Sequence, residues 1–164
     1  MDRETERICG CFLRKLEGAK DKARRLHILK ACARLDAPWA EKVFWESLGD
    51  PCEEVRDWLV RGLAARPAVR LEFAAGRLGR PPWYAKSSAL RVLSLRKAAP
   101  ALSIIAGVIA DPNAEVRRMA AKAIGETGGR GAIPLLLKLK RDENPYVRVE
   151  AEGYLDALVD LKFS

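Results

Sequence analysis

Asp111-Pro112-Asn113-Ala114-Glu115-Val116-Arg117-Arg118-Met119-Ala120-Ala121-Lys122-Ala123-Ile124-Gly125 reads as a turn followed by one helix. Asp satisfies free N–H groups at a helix start, and Pro fits the first helical turn. Val116, Ala120, Ala123 and Ile124 fall at i, i+4, i+7 and i+8, one apolar face of a helix. Gly125 and the Gly128-Gly129 pair punctuate its end.

The pattern returns along the chain. Val147-Arg148, Ala151, Tyr154 and Leu155 repeat it about 31 residues later, after Asp142 and Asn144-Pro145. A similar step back gives Ala85-Lys86, Ala89, Val92 and Leu93, after Pro81-Pro82. One step further back lie Asp50-Pro51, Val55-Arg56, Leu59, Gly62 and Leu63. A period of this length is the signature of a solenoid, in which each unit buries its apolar face only against its neighbours.

Helix periodicity and Gly/Pro breaks divide the chain into ten expected helices: Thr5–Leu16, Lys22–Leu35, Pro38–Leu48, Pro51–Ala65, Ala68–Leu78, Trp83–Leu95, Ala101–Ala110, Pro112–Thr127, Ile133–Lys140 and Pro145–Phe163. Short linkers make neighbours antiparallel. The expected fold is all-α: an αα-superhelix of about five helical hairpins in a single domain over 1–164, with 1–36 as the N-terminal capping hairpin and 37–66, 67–98, 99–130 and 131–164 as repeats. No segment alternates with the period of two that a strand requires. The apolar end Leu158-Val159-Asp160-Leu161-Lys162-Phe163 is expected to dock on the last hairpin and cover it.

The motif Asp-Pro-x-x-x-Val-Arg-x-x-Ala-x-x-x-Ile-Gly resembles the HEAT repeat, in particular the short bacterial type first noted in phycobilisome lyases. The resemblance is strongest over Ala99–Val159 and extends over Asp50–Ala98. It implies a curved stack of hairpins that works as a binding scaffold. It also implies a ladder between adjacent hairpins, built from the recurring Asp50, Asp111 and Asp142 with Arg56, Arg117 and Arg148. The third repeat departs from it, with Lys86 at the basic position and no Asp in its turn.

With Val55, Ala85, Val116 and Val147 as position zero, positions +2, +6 and +9 point away from the core at 100° per residue. Position +6 holds Arg61, Arg91 and Lys122, a basic stripe expected on a concave face lined by the second helices; position +2 adds Arg118. Between Arg61 and Lys97 stand nine basic residues against one acid, Glu72, a surplus of eight that equals the net charge of the whole chain. Arg66 and Arg96 lie in this window, as do Trp83 and Tyr84, which suit an interface or the stacking of bases. The expected function is therefore non-catalytic docking of a protein partner with an acidic surface. The alternative is DNA or another nucleic acid bound through the same basic region, since arginines make forked contacts to phosphate.

Catalytic signals are sparse. The single histidine, His27, excludes a multi-histidine metal site from this chain alone. Gly125-Glu126-Thr127-Gly128-Gly129-Arg130-Gly131 lacks the Lys-Ser/Thr ending of a phosphate loop and reads as an inter-hairpin turn. Two HEAT-like enzyme classes frame remote alternatives. One is a bilin-lyase-like subunit; the other is a DNA glycosylase for alkylated bases, whose aromatic and acidic constellation Trp58, Trp83, Tyr84 and Asp57 could imitate. Cys9, Cys11, Cys32 and Cys52 are expected as free thiols, and the one-residue spacing of Cys9 and Cys11 is shorter than zinc sites use. No cofactor, metal or small-molecule substrate is expected. No apolar run approaches the ~20 residues of a membrane span. The charged start Met1-Asp2-Arg3-Glu4 lacks the apolar core of a signal peptide, so the expected location is the cytoplasm.

Overall fold

A computed structural model describes residues 3–35, 37–67, 69–97 and 99–160. It is all-helical among these residues, with ten helices: α1 (Arg3–Glu17), α2 (Lys22–Arg34), α3 (Ala40–Ser47), α4 (Glu53–Ala64), α5 (Leu71–Leu78), α6 (Trp83–Arg96), α7 (Ala101–Ala106), α8 (Ala114–Thr127), α9 (Ala132–Leu139) and α10 (Pro145–Asp160). They pair as hairpins in chain order and stack as a HEAT-like solenoid. The second helices α4, α6, α8 and α10 pack side by side in one row. The first helices α1, α3, α5 and α7 form a looser row behind them.

One apolar core runs the length of the stack. Leu59 and Leu63 of α4, Leu90 and Leu93 of α6, Ile124 of α8 and Leu136 of α9 are fully buried. Each contributes about 2 kcal/mol of transfer free energy. These positions recur with the repeat because each hairpin has the same two faces to cover.

The helix starts show how the Asp turns work. Asn113, not Asp111, is the N-cap of α8, accepting the Glu115 N–H at 2.9 Å. Asp111 sits two residues upstream and accepts the Asn113 N–H at 2.9 Å. Asp50 and Asp142 do the same for Cys52 and Asn144, both at 2.8 Å. An Asp in this place closes its own turn and still has an oxygen to offer elsewhere.

Several helices differ from the sequence expectation at an end: α1 starts two residues early, at Arg3, and α4 and α8 two residues late, after their N-caps Cys52 and Asn113. α3 begins at Ala40 because residues 38 and 39 form a turn. α5 begins at Leu71, since the Arg70 N–H is taken by the buried Glu41 carboxylate at 2.6 Å and its backbone is extended. α7 stops at Ala106, where the Gly107 and Val108 N–H groups bond three residues back, tightening into turns. Of the expected docking segment Leu158–Phe163, Leu158 packs against the core, and the residues from 161 on lie outside the described residues.

Gly125 marks the closest approach of α8 and α10. A Cβ there would stand 2.1 Å from Cγ of Tyr154, whose ring lies on the glycine. Alanine is the better helix former by up to about 1 kcal/mol. Gly125→Ala is nevertheless expected to destabilise the protein by about 1–3 kcal/mol in urea unfolding, because the ring must move. Gly62→Ala, with nothing within 4 Å of its Cβ, serves as the stabilising control.

Candidate functional site

Two features of the stack are built from the repeated positions: a ladder along the turns and an open side on the row of second helices.

The ladder joins the base of one hairpin to the Asp of the next, 25 residues on. Arg117 donates Nε to Asp142 Oδ2 at 2.7 Å and Nη2 to Oδ1 at 2.9 Å. Its Nη1 holds the carbonyls of Asp111 and Pro112 in its own turn, and its Nη2 also reaches Glu143 at 3.0 Å. Lys86 donates to Asp111 at 2.6 Å. Arg25 repeats the Arg117 arrangement, with Nε and Nη2 on Asp50 and Nη1 on the carbonyls of Ala19 and Lys20. Arg56 and Arg148 keep the carbonyl half: Nη1 of Arg56 bonds Asp50 O and Pro51 O, and Nη1 of Arg148 bonds Asp142 O and Glu143 O. Neither meets a carboxylate among the described residues. The turn of the third repeat is one residue nearer, so Arg80 stands at its Asp position, and the Arg56 guanidinium lies 4.8 Å over the Tyr84 ring. The third repeat thus forms its own rung through Lys86; its missing Asp costs the arginine of the hairpin before it.

The Arg117 guanidinium holds the Asp142 carboxyl below its ordinary 3.8, aided by the Asn144 N–H and opposed by burial. The same pairing raises the pKa of Arg117.

On the open side, register puts Arg61, Arg91 and Lys122 at equivalent points of adjacent helices α4, α6 and α8. Their surroundings differ. Arg61 is exposed and has no polar partner among the described residues. Arg91 is bound by Asp57 at 2.6 Å, and Lys122 lies 3.9 Å from Glu126. Arg118 is gripped by Glu115 and Glu150, each at 2.8 Å. Apolar groups are exposed among these charges: Trp83 at 47%, Leu95 at 57%, Tyr146 at 74% and Val149 at 67%.

The other expected site residues are held elsewhere. Arg96 caps α4, donating to the carbonyls of Ala64, Arg66 and Pro67. Arg66 lies 5.9 Å over the Phe44 ring. Trp58 packs edge-on against Phe44, with centroids 5.8 Å apart. Of the glycosylase-like set, Asp57 is therefore committed to Arg91, Trp58 to the core and Tyr84 to Arg56.

Sequence reading missed three groups. Arg25 was legible by period, 31 residues before Arg56. Arg77 is buried, with Nη2 on the carbonyls of Arg80 and Pro81. Glu126 of α8 gathers the Ser94 hydroxyl of α6 and the Tyr154 hydroxyl of α10. No group of three metal-ligating side chains occurs among the described residues. Cys9 and Cys32 are buried, which raises both thiols, Cys32 to about 12, so they pack as neutral groups. No helix among the described residues is long and apolar enough to cross a membrane.

A family model described as HEAT repeats matches residues 71–156, and the chain belongs to that family. Its repeats generally serve as protein-interaction or scaffold modules. A search of curated proteins finds no match.

The Arg117–Asp142 rung, with each side chain 8% exposed, supplies the clearest stability test. Asp142→Asn removes the buried counter-charge of Arg117, leaving only the exposed Glu143 beside it, and is expected to cost about 3 kcal/mol at pH 7. A carboxyl whose folded pKa is depressed stabilises fully above its unfolded value, and loses that stabilisation as pH falls through the folded value. Urea unfolding should therefore show the gap between wild type and Asp142→Asn closing as the pH drops below about 4.

Proposed function

We propose that this HEAT-repeat protein is a non-catalytic scaffold that docks a protein partner with an acidic surface on the row formed by α4, α6, α8 and α10. The observation that carries the reading is the mixed character of that row. Exposed Trp83 and Leu95 of α6 and Tyr146 and Val149 of α10 share the row with Arg61 of α4, Arg91 of α6, and Arg118 and Lys122 of α8. Aromatic and arginine side chains around apolar contacts are what protein interfaces enrich. The Asp-Pro and Val-Arg register supports the short bacterial, phycobilisome-lyase-type subclass of these repeats, and the membership of a scaffold family supports a role without catalysis.

A nucleic-acid backbone fits this row less well. Asp57, Glu115, Glu126 and Glu150 stand among the cations and would face phosphates. Counter-charges already paired within the protein release no counterions on binding. The favourable electrostatic contribution comes instead from Arg61, with Arg91 and Lys122 able to exchange their partners for those of a docked chain. Trp83, exposed at the start of α6, is the apolar anchor of the row.

Arg61→Glu is expected to weaken capture of an acidic partner by about tenfold or more, and Trp83→Ala by a similar factor. A pull-down from the source cell, with and without nuclease treatment, followed by titration of the captured protein, reads both effects. Capture abolished by nuclease, or a partner indifferent to both substitutions, would overturn the reading.

A further inference from the structure

We propose that an extended acidic segment of the partner, a run of aspartates and glutamates, lies along the outer face of α2 and is held there by Arg24, His27, Lys30 and Arg34. The inference rests on the docking reading above and extends its surface by one helix, to the start of the row.

The turn ladder fixes where α2 stands. Arg25 makes to Asp50 the rung that Arg117 makes to Asp142, and Lys22 reaches Glu54 of α4. α2 is therefore the second helix of the first hairpin, and its register follows from Arg25, 31 residues before Arg56. Lys30 stands five residues after Arg25, as Arg61 stands five after Arg56. Lys30 is thus the first member of the series Arg61, Arg91 and Lys122.

Burial divides α2 into two sides. Leu29 and Cys32 are fully buried, with Leu26 and Ile28 packed beside them. Arg24, His27, Lys30 and Arg34 are exposed. They fall at i, i+3, i+6 and i+10, one face of a helix, over about 15 Å of its axis. α2 carries no acidic residue. Asp21, its N-cap, accepts the Arg24 N–H.

The charge of this face is unanswered, which sets it apart from the other second helices. α6 also lacks acids, but its three cations are bound: Lys86 by Asp111, Arg91 by Asp57 and Arg96 by carbonyls. On α8, Arg118 is held by Glu115 and Glu150. The side chains of Arg24, Lys30 and Arg34 have no ion-pair or hydrogen-bond partner among the described residues. His27 adds a ring N–H donor to the strip.

The chemistry of the occupant follows from spacing and composition. Helix neighbours three or four residues apart have Cβ atoms about 5–6 Å apart. Side chains on one side of an extended chain recur every ~6.6 Å, two steps of ~3.3 Å. An extended acidic chain therefore offers about one carboxylate per cation. The four side chains include no apolar anchor, so adhesion is electrostatic and needs several charges on one chain, since a single exposed pair is worth little. A duplex lays phosphates over a broader surface than one helix, and on the neighbouring α4 Glu54 and Asp57 would face them.

The test is titration of a fluorescently labelled octaglutamate peptide with the intact protein, read by anisotropy at low salt. Lys30→Glu and Arg34→Glu are each expected to weaken binding about five- to tenfold, and the pair by more than either; Arg34→Lys should bind as wild type. Arg141→Glu makes the same change of net charge at an exposed cation of the turn before α10, and controls for charge alone. Binding should fade as salt rises towards 1 M, where the Debye length is ~3 Å. The substituted side chains are exposed, so circular dichroism should show an unchanged fold. If Lys30→Glu and Arg34→Glu lose no more than Arg141→Glu, the strip on α2 is not the site. In that case a loss on Arg61→Glu leaves the acidic-partner reading standing without it. If Arg61→Glu is also silent, or wild type does not bind the peptide, both fail. A DNA duplex that binds more tightly than the peptide, and is lost in the same variants, would make the strip a nucleic-acid site and overturn the proposal.

Discussion

A forked ion pair between consecutive turns sets the geometry of this stack. The arginine is held by the carbonyls of its own turn and the aspartate by an N–H of its own turn. Each charged group is therefore rigid before the two meet, and the fork fits only one relative placement of the hairpins. Such a pair carries a desolvation cost that can exceed its Coulomb gain. Here all five N–H donors of Arg117 are matched, which offsets that cost. The apolar core supplies adhesion between hairpins without dictating register; the ladder supplies register.

The core can hold the stack where the ladder is interrupted. Turn three has no Asp, yet α6 packs against both α4 and α8, and Ala85, Ala89, Leu90, Val92 and Leu93 are all fully buried. Small residues at Ala85 and Ala89 let the neighbouring helices approach. The interruption therefore alters polar chemistry at the turn without opening the core. It moves the consequence one hairpin upstream, to Arg56, because each rung reaches forward along the chain.

The fold was legible because its cause is periodic. Val116, Ala120, Ala123 and Ile124 must recur wherever a hairpin covers a neighbour, so the pattern is written once per repeat. The ends of α3, α5 and α7 were not legible, since tertiary or turn contacts decide them; Glu41 drawing off the Arg70 N–H is the plainest case. The site was legible in its parts and not in its pairings. Asp57 and Arg91 are 34 residues apart, Arg118 and Glu150 are 32 apart, and Ser94 and Glu126 are 32 apart. Each pair joins neighbouring helices at nearly one repeat period. Those partners follow from the stack, not from either helix alone. Arg77 left no signal: its basic side chain follows Gly76 near a helix end, where an exposed residue is the ordinary expectation.

A surplus of eight over residues 61–97 is a property of a stretch of chain, whereas a field is a property of space. The acids that face this stretch come from outside it. Glu46 takes Arg80, Asp57 takes Arg91 and Asp111 takes Lys86. Arg96 is spent on carbonyls and Arg77 is sealed in the turn. What stays available is not a continuous basic track. It is separate points: the exposed Arg61, Arg70 and Lys97, none with an ion-pair partner among the described residues. An extended polyanion needs closely repeated contacts along its length. The stack thus breaks a basic stretch of sequence into separate charges, most of them paired within the protein.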